Sequence, residues 1–331
     1  MLPIRPTRRG LAVALAAAAG VAMAVRFGPR SLDAVVVAAT VALVAAVVQL
    51  AAVDAPEVDR TTPPPSVPGT TGVVGLAVAT DTPATAVVTD RLPAGVGGTA
   101  RAAGLVGDGA DPLRYEITYR ERGEHAVGPA TVRIRDLLGL AERTFVGAGE
   151  DPVLVYPRVY RPSPAVAERL RALSTSVASA ERGAFDHLRE YARGDSLRDI
   201  HWKASAKRDD LVVQEFADDE GDCGTVTVAA SGASGHADAM AEATASVGIA
   251  LLDSGVGVAL VSPDGRLTAT PGEADGLLAH LARVDAGHPD DEAADVVVDA
   301  TAEGVTIRVD GERSPFDPGR RVRTSREEVM A

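Results

Sequence analysis

The segment Lys203-Ala-Ser-Ala-Lys207 sets one hydroxyl, Ser205, two residues from each of the only two lysines in the chain. A serine nucleophile with a lysine base requires that hydroxyl within hydrogen-bond reach of a desolvated amine. Nothing in the neighbouring sequence desolvates Lys203 or Lys207, and no oxyanion-hole signature accompanies them, so a membrane-bound Ser-Lys hydrolase stands only as an alternative. Asp195 with Glu190 or Asp199 has the composition of an acid/base pair, but carboxylates set among arginines read as solvated ion pairs. His187, His201, His236, His280 and His288 lack ligand spacing and read as surface or capping residues. The single Cys223 excludes an internal disulfide and a cysteine-rich zinc site. The expectation is a chain without catalytic residues, metal or cofactor.

The same residues belong to a longer run, Tyr191-Ala-Arg-Gly-Asp-Ser-Leu-Arg-Asp-Ile-His-Trp-Lys-Ala-Ser-Ala-Lys207, which holds the only tryptophan and both lysines. Gly194 can supply a backbone angle barred to other residues, and Asp195 can cap a following helix. On that helix Arg198 lies three residues from Asp195 and four from Trp202, within reach of an ion pair on one side and a ring contact on the other. Lys203 and Lys207 share a face. Residues 190–216 carry five basic and six acidic groups, so the segment is internally neutralised. It reads either as a staple between two domains or as a docking face for an acidic partner.

The elements that must position this segment begin with two apolar runs, residues 10–27 and 32–53. The second, at 1.5 Å per residue, reaches about 33 Å, enough for a hydrocarbon core of about 30 Å. The first reaches about 27 Å and includes Arg26, which would have to snorkel. Only a short turn over residues 27–31 joins the runs, so an antiparallel hairpin with both termini on one side is expected. Arg5, Arg8 and Arg9 before the first helix outnumber Arg26 and Arg30 in the turn, which favours a cell-membrane protein with its soluble part in the cytoplasm. Thr7-Arg8-Arg9-Gly10-Leu11 also has the form of a twin-arginine export signal, which would make the chain an outward-facing structural envelope protein. The longer apolar run that follows, with no small-x-small cleavage site before a polar start, argues against export.

The 331 residues carry 33 basic and 46 acidic side chains, a net charge of −13. That balance repels a phosphate backbone, so no nucleic-acid partner is expected. Excess carboxylate, near absence of lysine and a core of small residues suggest a halophilic protein, because at 1 M salt a Debye length of about 3 Å makes self-repulsion weak; a GC-rich genome would favour arginine over lysine as well.

Beyond the membrane hairpin of residues 1–55, the proline-rich stretch 56–69 reads as a stiff linker. Residues 70–160 read as a β-sandwich. Leu113, Tyr115, Ile117 and Tyr119 alternate with polar residues, as do Val132 and Ile134, and with 123–129 as the turn these two runs are expected to pair as a hairpin. A connecting helix over 164–180 and the signature segment fill 161–216. From 217 to 310, strands near 225–230, 256–261 and 296–298 alternate with helices over 236–252 and 274–283, which implies a parallel α/β sheet. Residues 311–331 are expected to be a disordered tail.

Tyr191, Gly194, Asp195, Arg198, Ile200, Trp202 and Ala206 together resemble the signature of the domain of unknown function 58 family, with Lys207 where that family usually has arginine. A second block is similar too: Arg122-Gly-Glu-His-Ala-Val-Gly-Pro129, Asp136-Leu-Leu-Gly-Leu140 and Val155-Tyr-Pro157. The resemblance covers most of residues 1–270 and implies a membrane-anchored adaptor or scaffold that works with a MoxR-type AAA+ ATPase in complex assembly or maturation. It also implies an α/β part like a von Willebrand factor A domain, a Rossmann-type fold. That domain, when it binds Mg²⁺, uses an Asp-x-Ser-x-Ser motif after its first strand. The corresponding stretch, Val228-Ala-Ala-Ser-Gly-Ala-Ser-Gly235, has no aspartate, so the fold is expected without the metal.

Overall fold

The structure is a computed structural model that describes residues 4–27, 33–147, 149–182, 185–190, 212–216, 224–289 and 294–318. The chain divides into two compact units, residues 1–155 and 156–331.

The first unit opens with a short strand, β1 (Arg5–Pro6), and two helices, α1 (Arg8–Phe27) and α2 (Asp33–Ala51). Both helices are long and apolar enough to cross a membrane. They pack on each other yet leave Leu15, Val25, Val35 and Val41 largely exposed. A helix apolar all round is at home only where its surroundings are apolar. The carboxyl end of α2 and the residues just after it are different, because Ala46, Leu50 and Val53 are buried in the core of the β region. The start of α1 is also fixed to that region. The Thr7 hydroxyl accepts from the Gly10 amide at 3.1 Å, an N-cap, and donates to the Gly139 carbonyl at 2.6 Å. A Cβ at Gly10 would come within 1.9 Å of the Leu140 carbonyl oxygen, so only glycine permits this approach.

Ten strands follow: β2 (Glu57–Thr61), β3 (Thr71–Ala79), β4 (Ala84–Thr89), β5 (Val96–Gly98), β6 (Arg101–Val106), β7 (Leu113–Tyr119), β8 (Gly123–Val127), β9 (Thr131–Arg135), β10 (Ala141–Val146) and β11 (Asp151–Val155). Two antiparallel sheets, β1-β10-β9-β4-β6 and β2-β3-β7-β5, share one core of inward residues such as Val74, Leu76, Val88, Ile117, Val132 and Ile134, and β8 with β11 forms a separate ribbon. The expected pairing of residues 113–119 with 132–134 is corrected: β7 and β9 lie in different sheets, and 123–127 is a strand rather than a turn. Alternation identifies a half-buried strand but not its neighbour. The stretch expected as a linker also belongs to this unit. Residues 57–61 pair with β3, Val67 is buried, and the Tyr119 hydroxyl donates to the Pro64 carbonyl at 2.6 Å. Burial pushes the Tyr119 pKa up to about 12.

A polar cluster lies inside the sandwich. The Arg60 guanidinium donates through Nη2 to Asp90 Oδ1 at 2.8 Å and through Nε to Oδ2 at 3.1 Å, and it also pairs with Asp151. Tyr115 donates its hydroxyl to Asp90 Oδ2 at 2.6 Å. Burial alone would lower the Arg60 pKa, but the hydrogen bonds and charges of Asp90 and Asp151 outweigh it and hold the guanidinium protonated. Burial first, then Asp90, pushes the Tyr115 phenol well above its ordinary value.

The second unit begins with α3 (Pro164–Arg182), whose Pro164 takes the first helical position and whose Val166, Leu170 and Leu173 form its buried stripe. Strands β12 (Phe185–Glu190) and β13 (Val212–Phe216) pair antiparallel. Then come β14 (Thr225–Gly232), α4 (Ala237–Asp253), β15 (Gly257–Ser262), β16 (Gly265–Ala269), α5 (Ala274–Arg283), β17 (Val296–Thr301), β18 (Gly304–Val309) and β19 (Glu312–Pro315). They form one sheet in the order β16-β15-β14-β17-β18-β19. β14 is parallel to β15 and β17, while the three outer pairs are antiparallel. The three strands expected from the sequence, β14, β15 and β17, are parallel as expected, and the antiparallel strands β16, β18 and β19, which the sequence did not mark, make the sheet mixed. Two-residue links such as Asp310-Gly311, both with positive φ, can only join antiparallel strands. Residues 312–315 likewise pair as β19 instead of beginning a tail, and residues 319–331 lie outside the described residues.

Candidate functional site at the carboxyl edge of the parallel strands

Strands β15, β14 and β17 end at one edge of the sheet, and the strand order reverses between β14 and β17. In open α/β sheets that crevice is where ligands bind. Strand β14 arrives with buried Val226, Val228, Ala229 and Ala230, and β17 with Val296 and Val298. Beyond these residues, at the carboxyl ends of the two strands, stand the half-buried polar side chains Ser231 and Asp299, neighbours in register. The Ser231 hydroxyl reaches Asp299 Oδ1 at 2.8 Å and the Val298 carbonyl at 3.4 Å.

The loop from β14 into α4 is closed by its own backbone. Gly232 donates to the Gly287 carbonyl and Ala233 to that of Ala300, each at 2.8 Å, and His236 donates to Ala233 at 2.9 Å. A Cβ at Gly232 would stand 3.1 Å from the Met240 sulfur, and Gly235 has a φ of 83°, so the turn is tight and its side chains small.

The donor set does not suit a divalent cation. Such an ion requires several oxygen ligands with carboxylates among them. Asp299 is the carboxylate at the crevice, one of its oxygens accepts from Ser231, and residues 229 and 230 are alanine. Among the described residues no group of three or more His, Cys, Asp or Glu could hold a metal ion.

One step along the sheet, Ser262 Oγ lies 2.9 Å from His280 Nε2, with Asp264 close enough to act on the imidazole. The trio has the residue types of a nucleophile, base and orienter, but its hydrogen bonds run otherwise. The Ser262 hydroxyl donates to the Gly265 carbonyl at 3.0 Å, which leaves Nε2–H to donate to Ser262 Oγ. The buried hydroxyl thus receives a proton from the ring where a nucleophile must give one up. Burial is the main cause that lowers the His280 pKa; Arg283 adds to it and Asp264 opposes it. The Asp264 carboxylate meanwhile accepts from the Asp285 amide at 2.7 Å. These contacts fasten the β15–β16 hairpin to α5.

Of the residues expected from the sequence to form the interaction segment, Tyr191, Gly194, Asp195, Arg198, Ile200, Trp202, Lys203, Ala206 and Lys207 all lie outside the described residues, as does Ser205. Their frame is described: Glu190 of β12 pairs with Val212 of β13, so residues 191–211 begin and end at one antiparallel ribbon. Sequence reasoning passed over Ser231 with Asp299 and Ser262 with His280. A polar residue directly after the buried runs Val226–Ala230 and Val296–Val298 was the available signal for the first pair. The second joins residues 18 apart through a hairpin and had none.

Residues 187–308 match the family model described as protein of unknown function DUF58. The match thus takes in most of the β12–β13 ribbon, the segment between its strands and the sheet through most of β18. The uncharacterized protein YeaD of Bacillus subtilis (strain 168) is 34% identical over 108 residues, which are 31% of this chain and 27% of that protein. The chain therefore matches well under half the length of this curated relative. Among solved structures, the complex of zinc 2-glycoprotein with prolactin inducible protein from human seminal plasma contains a chain 15% identical, with a TM-score of 0.22, over 30% of this chain and 93% of that one.

Proposed function

We propose that this chain is a membrane-tethered, non-enzymatic adaptor or scaffold that works with a MoxR-type AAA+ ATPase in the assembly or maturation of protein complexes. In this reading α1 and α2 cross the cell membrane, the remainder is cytoplasmic, and residues 191–207 are the docking segment. The observation that carries it is the ribbon of β12 and β13, whose pair Glu190 against Val212 holds together the two chain positions that bracket the charged residues 191–211. Holding the two ends of a binding segment together lowers the entropy it loses on docking.

The α/β unit is read as von Willebrand factor A-like. Its first four sheet strands run in the order 3-2-1-4 of a doubly wound sheet, with the third antiparallel. The crevice is committed to internal contacts, Ser231 on Asp299 and loop amides on Gly287 and Ala300, which suits a protein-binding frame better than a reacting site. A charge of −13 with two lysines fits a surface kept soluble in concentrated salt.

The test is affinity isolation of the full chain from its native membranes in high salt. An AAA+ ATPase should co-purify, and Lys203→Glu with Lys207→Glu should abolish its recovery while expression and membrane fraction stay unchanged. Repeated isolation without any AAA+ ATPase refutes the proposal.

A further inference from the structure

The connection between β9 and β10, residues 136–140, turns two large apolar side chains outward. Leu137 is 90% and Leu138 56% exposed. The turn is rigidly built, since buried Asp136 accepts from the Leu138 amide at 2.9 Å and the Ala141 amide at 2.5 Å, and Gly139 takes a φ of 67°. It is also fixed against the ends of both apolar helices. Thr7, the cap of α1, binds the Gly139 and Leu140 carbonyls, and the Leu137 amide donates to Gln49 of α2 at 3.3 Å. Arg143, on the adjoining strand, donates to the Leu50 and Val53 carbonyls at 2.9 and 2.8 Å and so closes the carboxyl end of α2.

Helix length then sets the depth of the tip. The 20 residues of α1 and the 19 of α2 rise about 30 and 28 Å at about 1.5 Å each, which only just equals a hydrocarbon core of about 30 Å. For the helices to span, the level of Thr7 and Gln49 must lie at the edge of that core. Leu137 and Leu138 lie at the same level. Val47 and Val48, exposed on α2 beside Gln49, bring the apolar surface of the helix up to the tip. Exposed Arg5, Arg8 and Arg9 stand at this end as well, Arg5 paired through its backbone with Glu142, where arginine meets lipid phosphate. Exposed Asp81 and Asp108 occupy the next turns of this end of the sheet, so the turns beside the β9–β10 tip carry charge where the tip carries leucine.

We infer that the β9–β10 tip is a membrane-contact element, with Leu137 and Leu138 inserted into the headgroup and upper acyl region of the bilayer beside the helical hairpin. The inference rests on the reading of α1 and α2 as membrane-spanning. The occupant is lipid, because the tip is continuous with the helix surface that the bilayer covers.

The full chain, with Cys223→Ser, is placed in vesicles of phosphatidylcholine and phosphatidylglycerol and labelled with an environment-sensitive fluorophore at one new cysteine. The positions are Leu138→Cys, Leu137→Cys as an independent second site, Val41→Cys in α2, and Arg101→Cys at the opposite end of the tip's own sheet. Blue-shifted emission at 137 or 138, quenched several-fold more by shallow spin-labelled lipid than emission at 101, is the expected result. Emission at 41 that is quenched by lipid while 137 and 138 remain aqueous overturns the inference and leaves the anchoring reading standing. Aqueous emission at 41 overturns both. Blue-shifted emission at 137 and 138 without lipid quenching overturns the inference in favour of a protein contact, either a second copy or a partner.

Discussion

Two carboxylates bind one guanidinium in the sandwich, and burial distinguishes them. The Asp90 side chain is 0% exposed and Arg60 4%, whereas Asp151 is 45% exposed. Asp90→Ala strips the buried guanidinium of its bidentate partner and the Tyr115 hydroxyl of its acceptor, and breaking a buried pair from one side costs about 3–5 kcal/mol. Asp151→Ala removes a partner that solvent already screens, worth about 0–1 kcal/mol. The double variant Arg60→Met, Asp90→Leu leaves no charge stranded and should fall well short of the Asp90→Ala loss, because an apolar pair of similar volume is often neutral against a buried ion pair. Urea unfolding in micelles, followed by far-ultraviolet circular dichroism, measures all three. With a slope near 2 kcal/mol/M, the Asp90→Ala midpoint should drop by roughly 1.5–2.5 M and that of Asp151→Ala by less than about 0.5 M. Equal drops for the two single variants would refute the argument that desolvation, and not the contact itself, sets the cost.

In the second unit, burial lowers the His280 pKa, so the unfolded chain binds more protons than the folded one just below the ordinary imidazole value. Its contribution to stability is therefore complete above a pH of about 6.5 and is lost as the pH falls toward the lowered folded value; urea midpoints across that window should decline in the parent and decline less in His280→Gln. Thr244 in α4 has a buried hydroxyl without a hydrogen-bond partner, so Thr244→Val, which keeps the shape and removes the orphan, should raise the thermal midpoint, by an amount on the order of 1 kcal/mol.

The helices were legible because each is written in a local pattern. Residues 10–27 and 32–53 are apolar almost throughout and became α1 and α2, and the stripe of Met240, Val247 and Leu251 became the buried face of α4. The strands were legible singly and illegible in pairs. The alternation of Leu113 to Tyr119 and of Val132 to Ile134 is the same signal, yet the two strands lie in different sheets instead of sharing a ladder. Prolines 63–65 and 68 masked β2 and the buried Val67, since proline content marks linkers and edge connections alike. Arg60 and Asp90 are 30 residues apart, and nothing local marks a charge whose partner is brought in by topology. For the candidate site, the missing aspartate near residues 228–235 was visible in the sequence, while Asp299, which occupies Ser231 there, arrives from a strand 68 residues away.

The way α2 ends bears directly on what kind of tether the hairpin is. Ala46, Leu50 and Val53 share a core with Val78, Ile134 and Phe145 of the sandwich, and β2 starts six residues after α2 stops. A flexible linker of a dozen residues would let a domain sample distances of about 20 Å from its anchor, by the square-root scaling of a random coil. No such slack exists here, because the hydrogen bonds of Thr7, Gln49 and Arg143 tie both helix ends to the β9–β10 hairpin. Once the helices span a bilayer, the first unit is therefore held in one orientation on its surface. A tilt of the sandwich requires a tilt of the helices, and a strain applied to the sandwich is delivered to the membrane segment without a compliant joint between them. That rigidity would make the anchor a fixed support for any force applied to the first unit.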